Sequence, residues 1–105
     1  VRERQEFTLE QAERMITYDT ATNWGFHDRG LLREGMAADI VVFDPDTIGP
    51  CMPTVVYDLP AGAQRLKQMA DGISATVING QVVLRDNQHT GALPGQLLRG
   101  PLGRA

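Results

Sequence analysis

Apolar and polar positions change rhythm partway along this chain of 105 residues. From Leu9 to Ile16, the residues Leu9, Ala12 and Ile16 fall at i, i+3 and i+7. Met15 lies beside them, and Glu10, Glu13 and Arg14 take the other side. That is the period of a helix with one apolar face. Thr8-Leu9-Glu10-Gln11 supplies a capping box, because Gln11 stands three residues after the N-cap Thr8 and reaches back to it. Thr17 is expected to cap a second short helix ending at Trp24, with Gly25 as its stop.

Near residue 28 the pattern becomes β. Ala38–Phe43 (ADIVVF) is β-branched, too short for a typical helix, and bounded by Gly35 and Asp44-Pro45-Asp46; it reads as a buried strand. Leu31-Leu32 reads as a shorter apolar step before it. Arg33-Glu34-Gly35 is then the hairpin turn between them, with Gly35 left-handed. Further on, Asn79-Gly80 between Ala75–Ile78 and Gln81–Leu84 is a strong two-residue hairpin signal. Its expected register pairs Val77 with Val82 and Ala75 with Leu84 on one face, and Thr76 with Val83 and Ile78 with Gln81 on the other. Both faces are partly apolar, as in a sheet interior or a sheet packed on two sides.

The intervening stretch is harder to place. Asp44-Pro45-Asp46-Thr47 is turn chemistry. Ile48–Val56, with Gly49, Pro50 and Pro53, is expected to be irregular. After Tyr57-Asp58-Leu59-Pro60, the residues Leu66, Met69, Ala70 and Ile73 fall at i, i+3, i+4 and i+7, which predicts a helix interrupted by Gly62 and Gly72. The tail, Asp86–Ala105, carries Gly91, Pro94, Gly95, Gly100, Pro101 and Gly103. It is expected to be an extended strap anchored by Leu93, Leu97 and Leu98. The predicted class is therefore α+β: short helices in 1–27, a small β-sheet or partial sandwich in 28–86, and the strap in 87–105.

Composition narrows the partners. Net charge is −3 and the chain is 42% apolar and 6% aromatic, so nothing suggests a nucleic-acid surface or an anionic-membrane surface. No apolar run approaches the ~18 residues of a membrane span. A single cysteine, Cys51, excludes an internal disulfide framework and fits a reducing cytoplasm. The charged opening, Val1–Glu6, has no initiating methionine and reads as the tail of a preceding element in a longer protein.

Candidate chemistry is sparse. His27 and His89 are the only histidines. His27-Asp28 has the residue types of a metal or acid–base pair, but adjacent side chains diverge and no partner stands at ligand spacing. Both histidines read as loop residues. Cys51, between Pro50 and Met52, lacks a thiolate-stabilising neighbourhood. Asp44 and Asp46 begin like a calcium loop, yet the remaining ligands and the glycine are missing. Asp39 is expected to bond backbone amides near Gly35. Gly91-x-x-x-Gly95 lacks the lysine and helix of a phosphate loop. The residues thus assign no catalytic and no metal-binding position, and substrate-binding residues stay unassigned.

A family resemblance adds what spacing does not. Asp28-Arg29-Gly30, Leu31-Leu32, Arg33-Glu34-Gly35, Ala38-Asp39 and Val41–Pro45 together resemble the signature that follows the barrel in metal-dependent amidohydrolases. Thr17, with Thr20 where those relatives carry proline and Ala21 where they carry alanine, is similar to their closing helix pair. Leu59–Gly62 and the string His89–Gly100 tilt the likeness toward the N-acyl-D-amino-acid deacylases. That resemblance implies a TIM-type barrel bearing zinc or another divalent metal upstream of Val1, where the catalytic groups would lie. Thr8–Trp24 would be the last helical layer of the barrel, and Arg29–Leu84 would supply strands to a small β-sandwich. The implied partners are that barrel and a small N-acyl amino acid; unpaired strand edges imply self-association of the segment alone. The competing reading is a self-contained structural or oligomerisation domain without activity.

Overall fold

The computed structural model describes residues 1–99, and the class is α+β. Helix α1 (Leu9–Ile16) begins with both arms of the expected capping box. Thr8 Oγ1 accepts from the Gln11 amide at 3.2 Å, and Gln11 Oε1 accepts from the Thr8 amide at 3.0 Å. Helix α2 (Tyr18–Asn23) follows after Thr17, whose hydroxyl donates to the Glu13 carbonyl instead of capping the second helix. Trp24 closes α2, and Gly25 takes the left-handed backbone expected of a stop.

Four antiparallel strands form the main sheet in the order β1 (Ile40–Phe43), β6 (Ile73–Ile78), β7 (Gln81–Arg85), β8 (Gln88–His89). Two small sheets stand beside it: β2 (Gly49–Pro50) with β5 (Ala70–Asp71), and β3 (Thr54–Val56) with β4 (Arg65–Lys67). A single 3-10 turn at Pro60–Gly62 caps the β3–β4 ribbon. Asn79 and Gly80 both take positive φ, the geometry a two-residue hairpin needs to match strand twist.

Several expectations are corrected. The hairpin register holds for Val77 with Val82 and Ile78 with Gln81. Beyond them Thr76 pairs with Leu84 and Ala75 with Arg85, because Val83 is an extra residue on β7. On its other edge the Val83 carbonyl accepts the Thr90 amide at 2.9 Å, continuing the β7–β8 ladder. Leu31-Leu32 forms no strand and Leu32 lies exposed, although Gly35 does close a turn with positive φ. Ile48–Val56 is not irregular but holds β2 and β3, separated by Pro53. The helix expected through Leu66–Ile73 is absent: Leu66 pairs across to Val55, Ala70 to Pro50, and Gly72 turns the chain with φ +76. Non-local pairing outweighed a helical period that glycine had already weakened. The strap begins with β8, reached through a second two-residue turn at Asp86-Asn87, both with positive φ. The part of the strap at Gly100, Pro101 and Gly103 lies outside the described residues.

No described residue is fully buried. Accessible surface is 8582 Å², against about 5,800 Å² for a folded monomer of this size. The radius of gyration is 16.2 Å, where a compact domain of this length has about 13 Å. These elements have formed faces without covering them.

Candidate functional site

Among the described residues, the most connected side chains gather at one end of the main sheet. Arg29 lies in the turn that leads from the helices, and its side chain is only 14% exposed. Its Nη1 pairs with Asp39 Oδ2, and its Nη2 donates to Asn79 Oδ1 at 2.9 Å. Asp39, just before β1, accepts the Asn79 amide on its other oxygen at 2.8 Å. The Asn79 side-chain amino group then donates to the Pro94 carbonyl at 2.9 Å. Two backbone bonds lace the same corner: Gly80 N–H to the Ala38 carbonyl, and Ala37 N–H to the Asp28 carbonyl, each at 2.9 Å. Four segments, at residues 29, 39, 79 and 94, are thereby pinned together.

The electrostatics follow from that arrangement. Partial burial pushes the Asp39 carboxyl up, but the Asn79 amide and the Arg29 guanidinium outweigh it and hold its pKa below the ordinary value. Arg29 Nε is buried without a hydrogen-bond partner. The pin positions backbone; it presents no nucleophile, and its single carboxylate is already spent on Arg29 and Asn79. Asp39 bonds Asn79 rather than the amides near Gly35, correcting the expectation: the turn at Asn79-Gly80 folds back onto the start of β1.

The other singled-out residues stay apart. His27 and Asp28 are exposed in the turn before Arg29, and His89 is exposed on β8, its Nδ1 accepting the Gly91 amide at 2.9 Å. Cys51 is half-buried beside Asp71; burial first, then that carboxylate, raises the thiol's pKa. Asp44 Oδ1 accepts the Asp46 amide at 2.9 Å, an Asx turn. No three His, Cys, Asp or Glu side chains converge among the described residues. The strap's anchors also differ from those expected. Leu93 and Leu97 are 86% and 79% exposed and only Leu98, at 38%, is substantially covered; beyond β8 and Thr90 the strap is hydrogen-bonded through the Pro94 carbonyl.

An open groove of about 1330 Å³ runs between α1 and β1, with Leu9, Ala12 and Ile16 on one wall and Ile40, Val41 and Phe43 on the other. A smaller one, about 510 Å³, lies under Ile73, Ala75 and Leu84. Apolar atoms make up most of the surface of both, charged side chains such as Arg2, Glu10 and Arg33 also line the larger, and both open to solvent.

The pin is built from the segments that carry the family signature: Arg29 after Asp28, Asp39 after Ala38, the Asn79-Gly80 turn, and the strap. The amidohydrolase family model matches residues 1–84, so the chain belongs to the amidohydrolase family. Within it the segment is D-aminoacylase-like. An N-acyl-D-aspartate deacylase of Alcaligenes xylosoxydans xylosoxydans is 38% identical over 99 residues, covering 93% of this chain and 18% of that protein. A D-aminoacylase from the same organism is 35% identical over 92 residues, covering 88% of this chain and 17% of that protein. Its N-acyl-D-glutamate deacylase is 35% identical over 99 residues, covering 94% and 18%. The chain thus spans under a fifth of the length of these curated relatives. No solved structure gives a significant match.

Sequence reasoning placed Asn79 as a turn residue and Asp39 as a local cap, and gave Arg29 no role. The available signal was Arg29 beside Asp28, one of two arginines between Asp28 and Asp39, before an apolar strand. Nothing in the spacing points from there to residue 79 or 94.

Proposed function

We propose that this chain is the C-terminal, non-catalytic part of a metal-dependent amidohydrolase that hydrolyses the amide bond of N-acyl-D-amino acids. One observation carries the reading: a segment matching deacylases across almost its whole length, yet under a fifth of theirs, leaves its own apolar faces bare. On this reading α1 and α2, within 1–27, complete the helical layer of a TIM-type barrel. Residues 28–86 form part of a β-sandwich and 87–105 a strap. The catalytic groups and the divalent metal belong to the barrel, in a cytoplasmic enzyme. This chain's work is to close the barrel's flank and hold the strap. Alone, the same bare faces favour self-association.

The test has two arms. The purified chain is incubated with zinc, freed of excess, and assayed for bound metal and for N-acyl-D-amino-acid hydrolysis; neither is expected. Stoichiometric zinc lost on mutating His27, Cys51 or His89, together with amide cleavage, would overturn the assignment. In the second arm, the encoding gene is read upstream of Val1. A continuous frame carrying a His-x-His strand supports the deacylase reading, and a start codon immediately before Val1 supports an autonomous structural domain.

A further inference from the structure

The strap is secured in two unequal stretches. Thr90 is sewn to β7 through its amide to the Val83 carbonyl and its hydroxyl to the Val82 carbonyl, at 2.9 and 2.5 Å. Gly91, with φ +91, then turns the chain away. From Leu93 to Arg99 the hydrogen bonding of the described residues attaches the strap to the body at one point, the Pro94 carbonyl on Asn79 Nδ2. Of its leucines, Leu93 and Leu97 are bare, and Leu98, 38% exposed, makes what apolar contact there is.

The orientation of the Asn79 amide is decided elsewhere. A guanidinium offers donors and no acceptor, so only the carbonyl end of that amide can face Arg29. The amino end is left pointing at Pro94. With no cation there, the amide could rotate by half a turn and set its oxygen against the Pro94 oxygen, which is repulsive. Asp39 completes the geometry by holding both the guanidinium and the Asn79 backbone amide.

We propose that the strap is a detachable arm, hinged at Gly91 and latched by Asn79, and that Arg29 is the positioning residue of that latch. Arg29 makes no hydrogen bond to the strap; it sets the amide that does. The three groups act in series, so damage at Arg29 and damage at Asn79 open the same latch and do not add.

The experiment is native-state proteolysis of the full chain with thermolysin, followed at the Gln96–Leu97 bond, because cleavage tracks the population of the locally opened arm. Amide protection of the β6–β7 hairpin is measured in the same samples to show that the sheet is folded. Asn79→Asp keeps an acceptor for Arg29 and removes the donor to Pro94. It should raise strap cleavage roughly fivefold, the effect of one lost neutral hydrogen bond, with hairpin protection retained. Arg29→Met should match it, and Arg29→Lys, which keeps a donor-only cation, should fall between. Asn79→Asp combined with Arg29→Met should cleave no faster than the stronger single variant. Unchanged cleavage in Asn79→Asp with a protected hairpin overturns the latch, and additive effects in the double variant overturn Arg29's role. If Arg29→Met does not fold, Arg29→Gln, which offers an acceptor as well as donors, decides the same point: cleavage equal to the parent chain removes Arg29 from the latch.

Discussion

The pinned corner and the β3–β4 ribbon are both small, yet they are held by opposite means. At the corner, Arg29, Asp39 and Asn79 meet their hydrogen-bonding needs largely from one another, so the geometry is fixed without a hydrophobic core. In the ribbon, Val55 pairs with Leu66, and by strand alternation Tyr57 lies on their face. Leu66 is 68% and Tyr57 69% exposed. The opposite face carries Thr54, Arg65 and Lys67, with Asp58 bonded twice by Arg65 at 2.6 Å. That ion pair holds Asp58 below its ordinary pKa, but an exposed pair adds little to stability. A two-stranded ribbon is marginal by itself. Polar needs can be met locally, whereas an apolar face needs a second surface.

The largest effect should come between the two regions, where the β2–β5 pair joins the main sheet. A Cβ on Gly72 would sit 2.5 Å from the Ile48 amide nitrogen, on a backbone at φ +76. Gly72→Val is expected to lose about 3 kcal/mol by strain and displacement of the β2–β5 pair, read as a lower urea midpoint. A midpoint within error of the parent chain would mean that this close approach does not exist in solution.

At the corner the expected loss is smaller and depends on pH. Asp39→Asn removes a charge-assisted bond and leaves Arg29 without its carboxylate, about 1.5–2 kcal/mol at neutral pH. Because the folded pKa of Asp39 is depressed, its contribution is full above the unfolded value near 3.9 and disappears as pH falls through the folded value. The stability difference between the parent chain and Asp39→Asn should therefore narrow below about pH 4. A gap that stayed constant to lower pH would assign the effect to packing.

The ribbon should respond least in stability and most in association. Leu66→Ser is expected to shift the unfolding free energy by no more than ~0.5 kcal/mol. It should also lower the apparent mass of the isolated chain in light scattering at high concentration, since it makes a bare face polar. A destabilisation as large as that of Asp39→Asn would show the ribbon already packed, and the contrast between the two regions would fail.

The legible parts of the chain were those whose partners are near in sequence. Thr8 and Gln11 are three apart, and Asn79-Gly80 fixes its own turn, so local chemistry was enough for α1 and for the tip of the β6–β7 hairpin. Leu66–Ile73 misled because its spacing also fits a helix, while the strands that claim Leu66 and Ala70 lie at Val55 and Pro50. The Val83 bulge, likewise, is set by what the neighbouring strands require and leaves no mark in an alternating run.

By itself the sequence determined the α+β class, the capped first helix, a strand within Ala38–Phe43 (though it is half-exposed rather than buried), the turn glycines and the family. Each of these rests on propensity, period or a contiguous motif. Tertiary structure alone decided that Arg29, Asp39, Asn79 and Pro94 meet, and that between Leu93 and Arg99 the described strap is hydrogen-bonded to the body through one carbonyl while Leu93 and Leu97 stay bare. The reason is physical: a hydrogen-bond network selects residues by direction and distance in space. Chain separations of 10 to 50 residues between its bonded side chains carry no period that a sequence displays.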